Sequence, residues 1–262
     1  MTAGDPAAVA ARLRESGCVF AEDEARLLIA EAADPELLAD LVERRCTGAP
    51  LEHVLGWAEF RGLRLAVAPG VFVPRLRTEF LVECLLAELP AAGCVLDLCC
   101  GCGAIGAAVR AARPDVLVHA VDVDARAVAC AEQNLGPGRV HHGDLFTPLP
   151  GELRGAVDVV VANAPYVPSA ALPTMPAEAR LHEPRAALDG GADGTGVQRR
   201  IVAAAPNWLR PGGRLLLETS AEQSTLLVAE LEQAGLDCAV VRDADLEATV
   251  VIGRRRGSAA QP

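Results

Sequence analysis

A chain of 262 residues, of which 51% are hydrophobic, is long enough for one large domain, or for one domain with a smaller companion. Its formal net charge of -11 argues against a broad nucleic-acid-binding face, because such a face needs an excess of basic residues. The sequence has no secretory signal and no stretch near the ~18 apolar residues of a membrane span. We therefore expect a cytoplasmic protein whose nine cysteines are reduced thiols.

The first 50 residues predict a small helical domain for substrate recognition. Apolar side chains recur at helical spacing over residues 22–33 and 35–45. Asp34 and Pro35 suit the N-cap and the first helical position of the second helix. Over residues 51–74 the pattern changes: residues 60–67 alternate as in a strand, and Pro69-Gly70 predicts a turn. We interpret this segment as a β-hairpin that links two domains.

From residue 75 to 254, short apolar strands alternate with helical segments. This order predicts a mostly parallel α/β sheet that is covered by helices on both faces, as in a Rossmann-like fold. The last two strands are expected to form an antiparallel pair, and residues 255–262 a flexible tail. The predicted strands are 95–98, 116–122, 157–162, 214–218, 238–242 and 248–252. The predicted helices are 78–89, 106–112, 125–135, 197–209 and 221–234.

The loop after the first core strand is a candidate cofactor site, since ligands of such sheets bind beyond the carboxyl ends of the strands. It consists of small residues whose backbone a ligand can approach closely. Asp97 at the strand end would repel a pyrophosphate but suits a cationic methionyl amine or sulfonium. The loop positions are Cys99, Cys100, Gly101, Cys102 and Gly103. Dinucleotide enzymes also use a glycine-rich turn, but the spacing here fits their fingerprint imperfectly.

Two later strand ends extend this candidate site. Asp122 closes the next strand, about 20 residues on, where a carboxylate can accept both ribose hydroxyl hydrogens. Asp144 could accept a hydrogen bond from an adenine amine, and Leu145 or Phe146 could cover the ring. Taken singly, these could be a solvated acid and an ordinary loop. Together, the three signals predict a site for S-adenosylmethionine.

Asn163-Ala164-Pro165-Tyr166 follows an apolar strand and is the candidate catalytic and substrate-binding segment. A planar nitrogen is a poor nucleophile because its lone pair is delocalised. The Asn163 side-chain oxygen and the Ala164 carbonyl could accept its two hydrogens and aim the lone pair at the methyl group, close to the cofactor. Pro165 stiffens that carbonyl, and Tyr166 offers a flat wall. The plain alternative is a turn that ends the strand, where Asn and Pro are common.

These motifs resemble the release-factor glutamine methyltransferase family, the HemK-type protein-(glutamine-N5) methyltransferases, over about residues 44–219. The most specific similarity lies outside the cofactor loop, in residues 48–56, 59–60, 69–75, 183–188 and 190–194. The resemblance implies a seven-stranded class I methyltransferase core after a small N-terminal helical domain and a hairpin. It also implies S-adenosylmethionine as donor and a protein glutamine as acceptor, with a release factor as the candidate partner. A monomer is favoured.

The resemblance also carries over individual positions. It implies cofactor contacts at Cys99 to Gly103, Asp122, Leu145 and Asn163, and substrate contacts at residues 163–166. Three positions depart from the family pattern. Ala164 replaces the first proline of Asn-Pro-Pro-Tyr, Cys99 replaces a glycine, and Arg77 stands where the family usually has an acid. These departures indicate a divergent branch.

Several rival functions share part of these features. An N-methyltransferase of RNA or DNA bases meets the same geometric problem at an exocyclic amine, and a small-molecule or peptide N-methyltransferase could derive from the same fold. A non-catalytic S-adenosylmethionine-binding module is least favoured, because Asn163 and Tyr166 are retained. The cysteines at 94, 99, 100 and 102 and the histidines at 141 and 142 lack the spacing typical of zinc ligands, so we expect no metal.

Overall fold

The computed structural model describes residues 4–257. No helix in that part of the chain has both the length and the apolar character needed to span a membrane. The N-terminal region contains four helices, whose buried side chains form a hydrophobic core of their own, separate from the two cores of the sheet. Asp34 caps the third helix as predicted, since its Oδ1 accepts a hydrogen bond from the Leu37 amide at 2.8 Å. The helices are α1 (Pro6–Glu15), α2 (Ala21–Glu31), α3 (Pro35–Cys46) and α4 (Leu51–Leu55).

The linking segment contains a hairpin, but its turn differs from the predicted one. Strands β1 (Trp57–Phe60) and β2 (Leu63–Ala66) are antiparallel and are joined at Arg61-Gly62 instead of Pro69-Gly70. Both turn residues have positive φ, 50° and 73°, which is the backbone of a tight two-residue hairpin turn. The prediction of one strand over residues 60–67 was therefore wrong. The segment also begins with a helix, α4, which the hairpin interpretation missed.

The rest of the chain folds around a seven-stranded sheet of order β5-β4-β3-β6-β7-β9-β8, which confirms the α/β prediction. Strands β3 to β7 are parallel, and β9 pairs antiparallel with both β7 and β8. The strands are β3 (Cys94–Leu98), β4 (Leu117–Asp122), β5 (Val140–His142), β6 (Val157–Ala162), β7 (Leu209–Thr219), β8 (Leu236–Asp243) and β9 (Ala248–Arg255). The helices are α5 (Thr78–Glu88), α6 (Ala104–Ala112), α7 (Ala125–Leu135), α8 (Ala177–His182), α9 (Arg185–Leu188), α10 (Gly196–Ala204) and α11 (Ser224–Gln233).

Two other boundaries correct the sequence analysis. The helix predicted over 197–209 ends at Ala204, and Pro206 lies in a 3₁₀ turn (Ala205–Asn207) because proline cannot donate the next helical hydrogen bond. Leu209 already belongs to β7. The predicted tail at 255–262 also begins too early, since Arg255 ends β9 and Arg256 pairs with Asp237 at 2.9 Å. Residues 258–262 lie outside the described part of the chain.

The sheet topology decides where a ligand can bind. All six residues of β6 are buried, because hydrophobic cores pack on both faces of the sheet. The chain order runs outward from β3 to β4 and β5 on one side, and continues with β6 and β7 on the other. A crevice opens where the strand order reverses, beyond the carboxyl ends of β3 and β6. The loops that follow these two strands hold most of the predicted site residues.

Candidate functional site

A first cavity lies at the carboxyl ends of β3, β4 and β6. The predicted cofactor positions that line it are Cys99, Cys100, Gly101, Cys102, Asp122, Asp144, Leu145 and Asn163. Two predicted positions, Asp97 and Gly103, are absent from its wall. The cavity is mainly apolar, with carboxylates at its edge. Four stretches that are far apart in sequence thus meet in one concave site, as is typical of small-molecule binding.

The loop after β3 reaches the cavity through an unusual backbone. Cys99 has φ 55° and Gly103 has φ 79°, both in the left-handed region that favours glycine. A Cβ on Gly103 would lie 3.1 Å from a methyl carbon of Leu135 and 3.2 Å from Cβ of Ala131. Gly103 therefore allows α6 to pack closely against α7, and its role is structural in this geometry. Burial raises the pKa of Cys102 to about 12, so that thiol is a neutral wall residue.

Asp122 is held at the cavity wall by two backbone donors. Its Oδ2 accepts from the Gly101 amide at 2.8 Å, and its Oδ1 accepts from the Asp124 amide at 2.9 Å. Burial raises the pKa of Asp122, while these two hydrogen bonds act in the opposite direction. The bonds fix the carboxylate in place next to the loop after β3. The remaining lone pairs of the Asp122 carboxylate could accept a hydrogen bond from a ligand hydroxyl in the cavity.

Asp97 lies beneath this loop and is completely buried. Its Oδ2 accepts from the Gly106 amide at 3.0 Å, whereas Oδ1 has no hydrogen-bond partner among the described residues. Burial raises the pKa of Asp97 to about 7. In this structure Asp97 anchors the first turn of α6, and its contact with a cationic ligand stays a prediction.

The loop after β5 provides the far wall of the cavity. Asp144 is exposed and forms an ion pair with Arg200 of α10, a cavity residue that the sequence analysis missed. Leu145 lines the cavity, with a left-handed φ of 48°. Phe146 instead packs inward against Trp208, with ring centroids 5.4 Å apart. Of the two side chains proposed to cover an adenine ring, the structure therefore places only Leu145 at the wall.

A second cavity lies on the other side of the predicted catalytic segment. The two cavities share four residues, Phe72, Asn163, Pro165 and Ala187. The second cavity adds Ala164 and Tyr166, so all four predicted catalytic residues border it. Its outer wall carries side chains of both charges, from Glu52, Arg75, Arg77, Glu178 and Glu183. The segment at 163–166 thus lies between a mainly apolar cavity and a second cavity whose lining is more polar and carries charged side chains.

Three residues that the sequence analysis missed hold this segment. The Asn163 Nδ2 donates to Thr78 Oγ1 at 3.0 Å, and the Tyr166 hydroxyl lies 3.4 Å from Oε1 of Glu218. The Gln223 Nε2 donates to the Tyr166 carbonyl at 2.8 Å. Glu218 had a detectable signal, because it is a charged residue near the carboxyl end of the otherwise apolar strand β7.

Three of the motif stretches that carry the family resemblance, 69–75, 183–188 and 190–194, pack beside this segment. Arg75 and Glu183 form an ion pair with an N–O distance of 2.6 Å, and the Val73 amide donates to the same carboxylate at 3.2 Å. In the loop at 190–194, the Gly190 amide donates to the Val167 carbonyl at 2.9 Å. These stretches therefore shape the second cavity and the exit of the segment at 163–166.

All nine cysteines lie in the described part of the chain, and each is a free thiol there. Within the same residues, no group of three or more His, Cys, Asp or Glu side chains could hold a metal ion.

Comparisons with known proteins identify the family. The family model described as "Methyltransferase small domain" matches residues 62–192. A release factor glutamine methyltransferase of Geobacter sulfurreducens is 40% identical over 229 residues, which cover 84% of this chain and 80% of that protein. One of Mycolicibacterium smegmatis is 42% identical, over 75% of this chain and 72% of that protein. The chain belongs to the release factor glutamine methyltransferase family. It is a methyltransferase, and S-adenosylmethionine is its methyl donor.

A solved structure supports the fold. The crystal structure of a methyltransferase from Pyrococcus furiosus matches with a TM-score of 0.57 and 16% identity, over 75% of this chain and 91% of that one. The first cavity offers a fixed carboxylate at Asp122 and a loop of small residues.

Proposed function

We propose that this methyltransferase acts on the side-chain amide nitrogen of a glutamine in a protein, and that a peptide chain release factor is the substrate. The observation that carries the proposal is the position of Asn163 and Pro165, which border both cavities. The donor would occupy the first cavity and the glutamine side chain the second. The methyl group then has to pass the catalytic segment at 163–166.

The residues of this segment suit an amide acceptor. An amide nitrogen carries two hydrogens and a delocalised lone pair. The Asn163 Oδ1 and the Ala164 carbonyl would each accept one of these hydrogens, which turns the lone pair toward the donor. The donor supplies an electrophilic methyl group on a sulfonium. As the nitrogen–carbon bond forms, the carbon–sulfur bond breaks with its electron pair on sulfur, and the alkylated nitrogen then releases a proton.

Tyr166 would form the flat side of the acceptor site. Burial raises the pKa of Tyr166 to about 12, with Glu218 as a further cause, so the hydroxyl stays protonated and serves as a donor. Its hydrogen bond to Glu218 fixes the ring. A planar amide can pack against such a ring without losing its own hydrogen bonds. The mechanism needs no strong base, because the amide nitrogen becomes acidic once it is alkylated.

The charge of the second cavity favours a protein over a nucleic acid. Glu52 and Glu178 lie on the same wall as Arg75 and Arg77. A phosphate backbone would meet the two carboxylates and the formal net charge of -11. A polypeptide loop can satisfy both signs of charge. The names of the relatives point to the release factor within that class.

The test is methyl transfer from labelled S-adenosylmethionine to a purified release factor, and separately to total RNA and DNA. We expect label in the release factor. We expect none in a release-factor variant in which the candidate methyl-accepting glutamines are replaced by asparagine. Asn163→Ala should lower the rate by roughly 100-fold or more, as for loss of one polar group that stabilises a transition state. Asn207→Ala, an exposed asparagine in the 3₁₀ turn before β7, is the matched control. Label in nucleic acid alone, or full activity of Asn163→Ala, would contradict the proposal.

A further inference from the structure

Two buried polar residues, Thr78 and Glu218, lie behind Asn163 and outside the lining of the second cavity, the proposed acceptor cavity. Thr78, the first residue of α5, is 3% exposed, and Glu218, near the end of β7, is 1% exposed. Thr78 Oγ1 accepts the hydrogen bond from Asn163 Nδ2 at 3.0 Å. Neither Thr78 nor Glu218 lines the acceptor cavity. Thr78 does line the first cavity, the proposed donor site, so its effect on donor binding has to be measured separately from its effect on the orientation of Asn163.

The orientation of the Asn163 amide matters for the proposed chemistry. An asparagine side chain has nearly the same shape when its oxygen and its NH2 group are exchanged, but one end accepts hydrogen bonds and the other donates them. With Oδ1 toward the second cavity, it can accept a hydrogen of the substrate amide. After a flip, two NH2 groups would face each other, and neither could accept.

Glu218 places a hydrogen-bond-accepting carboxylate behind Asn163. Its Oε1 lies 3.4 Å from the Tyr166 hydroxyl and 4.0 Å from Nε of Arg77. Burial raises the pKa of Glu218, and hydrogen bonding from Thr78, Tyr166 and Asn163 together with the charge of Arg77 acts in the opposite direction. An ionised carboxylate only accepts hydrogen bonds. The groups around it are therefore favoured in orientations that present hydrogens.

Thr78 connects the carboxylate to the amide. Its hydroxyl has one hydrogen, which the neighbouring carboxylate attracts, and its lone pairs remain for Asn163. The Asn163 amide then lowers its energy by pointing Nδ2 inward, toward Thr78 and Glu218. This choice leaves Oδ1 available on the side of the acceptor. The other carboxylate oxygen of Glu218, Oε2, is buried without a hydrogen-bond partner among the described residues, so this pocket favours groups that present hydrogens. A flip would also break the Asn163–Thr78 hydrogen bond, and an unmade buried hydrogen bond is costly.

We propose that Thr78 and Glu218 are positioning residues that hold the Asn163 amide with its NH2 group inward, so that Oδ1 faces the methyl-accepting nitrogen. The proposal rests on the proposed function for the identity of that nitrogen. Arg77 has a supporting part, since its guanidinium is the cation next to the buried Glu218.

The first test follows the hydrogen bond itself and needs no catalysis. In the ¹⁵N-labelled full chain, the side-chain NH2 signal of Asn163 is the one that disappears in Asn163→Ala. We expect its hydrogen exchange to be at least tenfold faster in Thr78→Val, which removes the acceptor at constant shape, and close to the wild-type rate in Thr78→Ser. Equal exchange rates in Thr78→Val and the wild type would overturn the proposal.

The second test follows methyl transfer. We expect Thr78→Val to lower kcat about tenfold at saturating S-adenosylmethionine, and Thr78→Ser to restore most of the rate. Saturation is needed because Thr78 also lines the proposed donor cavity. In the Asn163→Ala background, Thr78→Val should cause no further loss, because it acts through Asn163. Glu218→Gln keeps the size of the side chain and should also lower kcat.

The outcomes separate the two proposals. Inactivity of the wild type on a release factor would contradict the proposed function, while the exchange measurement still decides the role of Thr78. A wild type that is active, together with unchanged kcat in both Thr78→Val and Glu218→Gln, would overturn the positioning role alone. Additive losses in the double variant would also overturn it.

Discussion

Arg75 and Glu183 are 108 positions apart in the sequence, yet Nη2 of Arg75 lies 2.6 Å from both carboxylate oxygens of Glu183. The Glu183 side chain is 1% exposed and that of Arg75 is 33% exposed. Burial raises the pKa of Glu183, and the charge of Arg75 together with the Val73 amide opposes this shift. The pair joins the stretch before the core to the stretch after the predicted catalytic segment at 163–166.

Glu183→Gln should therefore destabilise the protein. The variant leaves Arg75 without its partner, and we expect the free energy of unfolding to fall by about 2 kcal/mol, less than for a fully buried pair because Arg75 is partly exposed. Urea denaturation measures this change. Arg185→Gln, at the exposed pair with Asp189, is the matched control and should cost less than about 0.5 kcal/mol. Equal losses in the two variants would contradict the assignment.

Gly194 lies against the catalytic segment, and its replacement should displace Tyr166. A Cβ on Gly194 would overlap the Tyr166 carbonyl oxygen and Nε2 of Gln223, and φ is 79°. We expect Gly194→Ala to cost about 3 kcal/mol of unfolding free energy and to lower methyl transfer. Gly191→Ala has a similar φ of 91° but open space around the Cβ. It should cost about 1 kcal/mol and keep activity, and if both variants behave alike, steric overlap is not the cause.

Cys99→Gly should stabilise the protein. The left-handed region costs a residue with a Cβ about 1–2 kcal/mol. Cys99 lies there, with φ 55°, and glycine at this position removes the strain. Some contact of the half-buried thiol is lost, so we expect a net gain of roughly 0.5–1 kcal/mol in unfolding free energy. Cys84→Gly, within helix α5, is the control and should cost about 1 kcal/mol. A loss of stability in Cys99→Gly would show that the thiol contacts outweigh the backbone strain.

Ala164→Pro restores the usual family residue and should be tolerated. In the part of the chain that the structure describes, the Ala164 amide donates to no backbone acceptor, so proline removes no such hydrogen bond. We expect a gain of about 0.5–1 kcal/mol from the stiffer unfolded chain, with kcat retained. Ala162→Pro, inside β6, should instead cost about 3 kcal/mol or more. A tenfold lower kcat in Ala164→Pro would mean that alanine is needed for this chain's own substrate.

Asp97 should make the stability of the protein without donor depend on pH. Its folded-state pKa of about 7 lies above the ordinary 3.8, so the folded protein binds the proton more tightly than the unfolded chain does. The stability that this tighter proton binding contributes is fully present below pH 3.8, the ordinary pKa, and is lost as the pH rises toward 7. Asp97→Asn keeps an acceptor for Gly106 and has no proton to lose. The stability of the variant relative to the wild type should therefore rise between pH 4 and 8, by up to about 4 kcal/mol.

Thermal unfolding of both proteins across this pH range measures the difference. A pH-independent difference would contradict the prediction. The same variant also tests the cationic contact expected from the sequence. If Asp97 bears on the methionyl amine, Asp97→Asn should weaken binding of S-adenosylmethionine, and an unchanged Kd would exclude that role.

The sequence by itself determined the local elements and the residue types of the site. Strand β6 and helix α7 begin and end where the hydrophobic pattern predicted. A strand buried on both faces reads as a continuous apolar run, and a helix buried on one face shows the helical period, so both can be recognised locally. The loop after β3, Asp122 and the segment at 163–166 could be placed at one edge of the sheet for a similar reason. Parallel strands that alternate with helices all end on the same side.

Only the tertiary structure decided which distant residues meet. The Thr78–Asn163 and Arg75–Glu183 contacts depend on the strand order and on the path of loops, and neither leaves a local period in the sequence. The same applies to Asp97, whose side chain turns beneath the loop and not into the cavity. Local sequence encodes backbone geometry, whereas contacts between elements arise from packing of the whole sheet, and the orientation of Asn163 belongs to this second class.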